Sequence, residues 1–438
     1  MEGYVTHTGL MFENAGAFGA LLIFAEHRYY GQSLPLGNAT SGNLSFLTHE
    51  QALADYATLL TTVKSDLAAE SAHVIAFGGS YGGMLAAWFR MKYPHVILGS
   101  IAASAPILAF PGPDGGEEYA NGGEDYWAVV TRDASAAAGA SPHCIPALRA
   151  AWDIIDAARN TPEGRSRLSA GFNMCSPLSD PVDVDYLKLY VAMAFDTMAM
   201  GNFPYRSDYL TGGAGFLPPW PVRVACRSFE GVDLADADAL VSAVSAAAAV
   251  LYNASGSLTC HSLPADSSYD GIWDYQWCTE LLCQESYFRR DGVKDMFYPF
   301  EMTPAQVDAH CLDKYGVTPR RAWIHALYGG IEGVARATNI VFSNGGFDPW
   351  SFGGVTPSTP LPAFTSSSIE RVWIEEGAHH LDLFFSHPAD PPGVRLARKR
   401  EVAAIQKWLS QAAEQRVREN VAAGRKGGLV PGPGDVVD

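Results

Sequence analysis

The pentapeptide Gly78-Gly-Ser-Tyr-Gly82 sets a serine in the pattern G-x-S-x-G. Glycines around such a serine let a strand turn directly into a helix, holding the hydroxyl out at the bend. The apolar run His73 to Phe77 precedes the turn, and Met84 to Lys92 reads as a helix stopped before Pro94. A serine hydroxyl is a weak nucleophile. It needs a base to take its proton and an acid to fix the base's tautomer. Both occur further along, in that order. Asp348, in Asn344-Gly-Gly-Phe-Asp-Pro-Trp350, follows the strand candidate Asn339 to Ser343, and His379, in Gly377-Ala-His-His380, follows the strand candidate Arg371 to Glu375. Alone, the pentapeptide is equally a glycine turn or a phosphate loop, and an aspartate behind a strand is an ordinary turn residue. Three such signals in one order describe a nucleophile, an acid and a base, the equipment for acyl transfer through a serine ester.

Elements must bring these residues together. Ala20 to Ala25 reads as an apolar strand. His49 to Leu67 carries Leu53, Tyr56, Leu59, Leu60 and Val63 at helical spacing, and Ile97 to Ala102 is a further strand. Strand-helix-strand units of this length predict a parallel sheet. The rhythm changes near Pro106, where alanine-rich helices begin (Ala235 to Leu251 is the clearest). The sequence therefore divides into a first sheet part over 1–105, an inserted helical cap over 106–325, a second sheet part over 326–418 and a disordered Gly- and Pro-rich tail over 419–438. Val394 to Glu414 is a basic amphipathic helix, read as a surface helix docked on the sheet rather than on a membrane.

Composition narrows the function classes. Of the 438 residues 48% are hydrophobic and 18% charged, enough apolar material for a large core. The net charge of −17 argues against nucleic-acid binding. No run reaches the roughly 20 apolar residues of a membrane helix. All seven cysteines fall between Cys144 and Cys311, without the paired spacing of a metal site, so disulfides formed in an oxidising compartment are expected and no metal or other cofactor is. Acceptor triplets at Asn38, Asn43 and Asn253 agree with a secretory route. Met1 to Tyr4 shows no signal peptide.

Longer motifs carry a specific resemblance. Phe24-Ala-Glu-His-Arg-Tyr-Tyr-Gly31, Leu47-Thr-His-Glu-Gln-Ala-Leu-Ala-Asp55, Gly78-Gly-Ser-Tyr-Gly-Gly-Met84, Ser343-Asn-Gly-Gly-Phe-Asp-Pro-Trp-Ser351 and Glu376-Gly-Ala-His-His-Leu-Asp-Leu383 resemble the lysosomal Pro-X carboxypeptidase and dipeptidyl peptidase II family, which also includes the thymus-specific serine protease. The resemblance runs from about residue 3 to residue 410. It implies an α/β-hydrolase fold with a large inserted, mainly helical, disulfide-bearing cap, and a lysosomal, vacuolar or secreted serine exopeptidase that cleaves beside proline. Ser80 would be nucleophile, Asp348 acid and His379 base, with His380 packing behind them. The backbone N–H of Tyr81 would serve the oxyanion, and Met84 and Trp350 would line a proline pocket. Met1-Glu-Gly3 resembles the end of the family's Gly-Asn-Glu-Gly oxyanion loop, which implies that the first strands and a signal peptide are missing from the sequence. The resemblance pairs Cys144 with Cys226, Cys175 with Cys260 and Cys278 with Cys311, leaving Cys283 a free thiol. Phe384 departs from the family, since carboxypeptidase members can carry a basic residue there. Expected partners are peptides with proline near a terminus, and a homodimer, but neither nucleic acid nor membrane. Carboxypeptidase and dipeptidyl peptidase stay open, as do a carboxylesterase or lipase on the same fold and an inactive relative.

Overall fold

The computed structural model describes residues 2–37, 41–112, 125–263, 271–281 and 289–422. Four strands, β1 (Ile75–Gly79), β2 (Gly99–Ala103), β3 (Ile340–Gly345) and β4 (Ile369–Ile374), form a parallel sheet in that order. Gly79 pairs with Ala103, Ala103 with Ser343, and Gly345 with Ile374, so the strands end together at one edge of the sheet. β2 and β3 are buried at every residue, as strands covered on both faces must be. Alternation divides their side chains. Ala102, Ile340 and Phe342 enter the larger core on one face, while Ile101 and Val341 meet Trp408 and Ile405 on the other.

Helix α1 (His49–Asp66) starts on Thr48, whose hydroxyl accepts the Gln51 N–H, and buries Leu53 and Leu60. Helix α2 (Tyr81–Lys92) makes the crossover from β1 to β2 and buries Met84, Trp88 and Phe89. Between β2 and β3 come α3 (Tyr126–Asp133), α4 (Cys144–Arg159), α5 (Pro181–Met200), α6 (Ala237–Tyr252), α7 (Ile272–Thr279) and α8 (Pro304–Tyr315). Their buried residues, among them Leu148, Phe195 and Val244, continue the core that begins under α2. Disulfides join Cys144 to Cys226, Cys175 to Cys260 and Cys278 to Cys311. The last helix, α9 (Pro392–Ala422), lays Trp408 on the second face of the sheet. Gly99 admits that indole, because a Cβ there would lie 2.3 Å from it.

Two expectations need correction. Ala20 to Ala25 is not a strand: it has no ladder partner among the described residues, and Leu21 and Ile23 are exposed. Apolar composition marks a candidate strand, but only a neighbour makes it one. Residues 419–422, expected to be disordered, are helical, since α9 continues to Ala422 through the surface pairs Arg418–Glu414 and Gln415–Glu419. Cys283 and Asn38 lie outside the described residues. Asn43 falls in the 3₁₀ turn Ser41–Phe46, and Asn253 follows α6, its side-chain oxygen accepting the Leu258 N–H.

Candidate active site

Each sequence-derived candidate stands just past the carboxyl end of a strand, where open α/β sheets place their ligands. Ser80 directly follows β1 and precedes α2. Its φ of 60° and ψ of −129° are strained for a residue with a side chain. Neighbouring glycines make the bend feasible: a Cβ on Gly78 would meet the Gly82 carbonyl at 1.9 Å, and one on Gly79 would meet the His380 ring at 2.6 Å. At the first position of α2 the Tyr81 N–H has no carbonyl of its own helix to bond, as at any helix start.

Asp348 is fully buried three residues past β3, and His379 is almost as buried past β4. The His379 Nδ1–H donates to Asp348 Oδ1 at 2.9 Å, and the Trp350 N–H reaches the same oxygen at 3.1 Å. That bond fixes the tautomer in which Nε2 is free to accept a proton. The His379 N–H donates to the Met200 carbonyl at the end of α5, and the Trp350 indole N–H meets the Met200 sulfur at 3.2 Å. Helical cap and sheet therefore share the histidine. Met84 is buried in the larger core one turn into α2, and Trp350 is half-buried against Tyr126, ring centroids 4.8 Å apart.

His380 has a packing environment. Its N–H donates to Ser104 Oγ at 2.7 Å, and its ring sits among Tyr4, Tyr209 and Phe384. Burial, and next the neighbouring His379, hold it well below the usual histidine range, so it stays neutral. Phe384 is itself buried, in tilted or edge-on contact with His7, Phe203 and Tyr209.

Several polar residues at the site carry no sequence signal. On α5, Asp196 lies one turn before Met200 and accepts the Tyr126 hydroxyl. Burial pushes its carboxyl up to about 7, the Tyr126 bond opposing, and its charge couples to His379. Asp133, at the end of α3, accepts from Asn202 and is pushed well above the carboxylate range by burial. The Tyr81 side chain is held by groups far apart in sequence. His27 donates Nδ1–H to the Arg28 carbonyl, so its Nε2 takes the Tyr81 hydroxyl at 3.1 Å. Gln276 on α7 donates to the Tyr81 oxygen at 2.7 Å and to Glu280, which also receives the His49 N–H and Nδ1–H. The Glu26-His27-Arg28 and His49…Asp55 motifs thus meet here, Arg28 forking onto Asp55 with two bonds of 2.6 Å. His27 and His49 stand in the quoted motifs, whereas Gln276 and Glu280 lie in a stretch of no distinctive pattern.

A parallel sheet with a strained serine between strand and helix, followed in chain order by an acid and a histidine at later strand ends, defines the α/β-hydrolase class. Residues 1–401 match the family described as serine carboxypeptidase S28, and the chain belongs to that family, a family of serine peptidases. It is 40% identical over 413 residues to the lysosomal Pro-X carboxypeptidase of Homo sapiens, covering 93% of this chain and 78% of the relative. It is 34% identical to the prolyl carboxy peptidase like protein 5 of Caenorhabditis elegans (94% and 82% covered). The thymus-specific serine protease of Homo sapiens is 29% identical (93% and 77% covered).

Proposed function

We propose that this chain is a Pro-X carboxypeptidase, releasing the last residue of peptides whose penultimate residue is proline. In this reading Ser80 Oγ attacks the prolyl carbonyl as His379 Nε2 takes its proton, and Asp348 stabilises the imidazolium. The Tyr81 N–H faces the developing oxyanion. The C–N bond then breaks, His379 returning its proton to the leaving amine. Water, deprotonated by the same base, hydrolyses the prolyl ester and restores Ser80. Met84 and Trp350 bound the proline slot. The observation that carries the reading is the 2.9 Å His379–Asp348 bond at the sheet edge that bears the elbow serine. The names of the relatives supply the proline preference and support a lysosomal or secreted location, with which three disulfides agree.

Two substrates offered side by side test it: an amino-blocked peptide ending in Pro-Phe and an unblocked Xaa-Pro amide. Free phenylalanine from the first is expected. Release of Xaa-Pro from the second alone would make the enzyme a dipeptidyl peptidase, and turnover of short-chain nitrophenyl esters without either would leave an esterase.

A further inference from the structure

Beneath the loop that carries His379 lies a buried cluster with more carboxyl groups than cations: Asp382, Asp390 and Glu401 around Arg398. Arg398 donates Nη1–H to Asp390 at 2.5 Å. Its Nε and Nη2 go to the main-chain oxygens of Asp382, Leu381 and Phe385. It clasps the loop and neutralises Asp390, but bonds neither other carboxyl. Asp382 Oδ2 accepts the Ser343 hydroxyl at 2.5 Å, which uses the only proton that serine has. Glu401, with no exposed surface, lies against Asp382 and Ser343, yet neither of its oxygens accepts a hydrogen bond from any described residue. Were every acid ionised, three negative charges would face one guanidinium in a buried space. The contacts close only if a proton stays with the pair, as a Glu401 O–H donating to the Asp382 carboxylate.

We propose that Glu401 keeps its proton in the folded chain and donates it to the Asp382 carboxyl, and that this bond positions the His379 loop. It joins α9 to the loop three residues past His379 and, through Ser343, to the strand leading to Asp348. Both are positioning residues. Burial first, and then the Asp382 charge, hold the Glu401 carboxyl well above the usual range. The other groups facing the pair do not replace the proton. Arg398 and Asp390 on the helix side are paired to each other. Tyr4, from the helix Glu2–His7, is kept un-ionised by burial, by Tyr209 and by Asp382. His380 on the loop is neutral. Because the folded value lies above the unfolded one, near 4.5, the stability contributed is complete below 4.5 and is lost as pH rises through the folded value. In this proposal, raising the pH through the folded value releases the loop.

Infrared spectroscopy of the full chain and of Glu401→Gln tests this, alongside pH profiles of kcat/KM. A glutamine keeps the shape and the bond to Asp382 but cannot ionise. At pH 7 the wild type is expected to show a protonated-carboxyl C=O band that the variant lacks, and the variant's alkaline limb should move up by about one pH unit or more. An unchanged band, or an unmoved alkaline limb in a variant that has lost the band, would overturn the proposal. Should the variant not fold, titrating Asp133→Asn with Asp196→Asn, which removes the other carboxyls raised by burial, decides: band and activity should vanish together, and activity that outlasts the band sinks the idea. The infrared arm does not depend on the catalytic reading of Ser80 and His379, which fluorophosphonate labelling of Ser80 tests separately.

Discussion

At the residue scale the adjacent histidines offer the sharpest contrast. His379 bonds Asp348, whereas His380 packs against Gly79 and Ser104 with its ring held neutral. His379→Ala and Ser80→Ala are therefore each expected to lower kcat by about 10⁴-fold or more, with the fold intact. His380→Gln should keep catalysis within about tenfold but lower the melting temperature; equal losses of kcat in the two histidine variants would reassign the base. Asp196 belongs to the same scale. Its carboxyl is raised from 3.8 to about 7, mainly by burial, so its stability contribution is present below 3.8 and lost as pH rises through about 7. Asp196→Asn preserves an acceptor for Tyr126 and removes a cost of about 4 kcal/mol at pH 8. Urea unfolding should show the variant ahead at pH 8 and level with the wild type near pH 4, and a pH-independent difference would refute the assignment. Ser80, Asp348 and His379 could be singled out in the sequence because each belongs to a short motif behind a strand. Asp196 and Asp133 could not, since their chemistry comes from burial by a cap whose packing no local pattern encodes.

At the scale of elements, the elbow shows which parts of its motif are structural. A Cβ at Gly78 would run into the Gly82 and Gly83 backbone, which cannot move without unwinding α2, whereas a Cβ at Gly82 meets nothing within 4 Å. Gly78→Ala should destabilise by more than about 2 kcal/mol. Gly82→Ala, in a helical position, should be neutral or stabilising by up to about 1 kcal/mol. Denaturant midpoints of the two variants check this, and similar losses in both would show that the turn is set otherwise. Sequence periodicity located α1, α2 and all four sheet strands to within a few residues, because their apolar runs are bounded by glycine, proline or polar turns. It failed at Ala20 to Ala25, where composition resembles a strand and pairing is absent. It also gave no hint that α7 sends Gln276 to the Tyr81 hydroxyl, a contact between residues 195 positions apart.

At the scale of the molecule, the disulfides divide into those that hold the helical cap together and one that reaches the site. Cys144–Cys226 lies within the larger core, and Cys175–Cys260 closes a loop of 85 residues. In the chain-entropy account each long loop contributes roughly 3–5 kcal/mol by restricting the unfolded chain. Cys278–Cys311 spans only 33 residues, but it clamps α7 to α8 through a small separate core in which, among the described residues, Val307 is the other buried member. Beside the bond, Asp274 of α7 meets His310 and the Tyr315 hydroxyl of α8. Gln276 and Glu280, which hold Tyr81 and His49, flank Cys278 on either side. Loss of this bridge should therefore reach the elbow. Cys278→Ser with Cys311→Ser is expected to lower both melting temperature and kcat/KM, the latter by about tenfold or more, since Tyr81, the residue after Ser80, loses its anchor. Cys175→Ser with Cys260→Ser should lower the melting temperature and spare kcat/KM. Non-reducing peptide mapping of the wild type should return the three pairs with Cys283 as the one free thiol. A bridge from Cys278 to Cys283 would remove the basis of the argument, and so would a Cys278/Cys311 variant that is less stable but fully active.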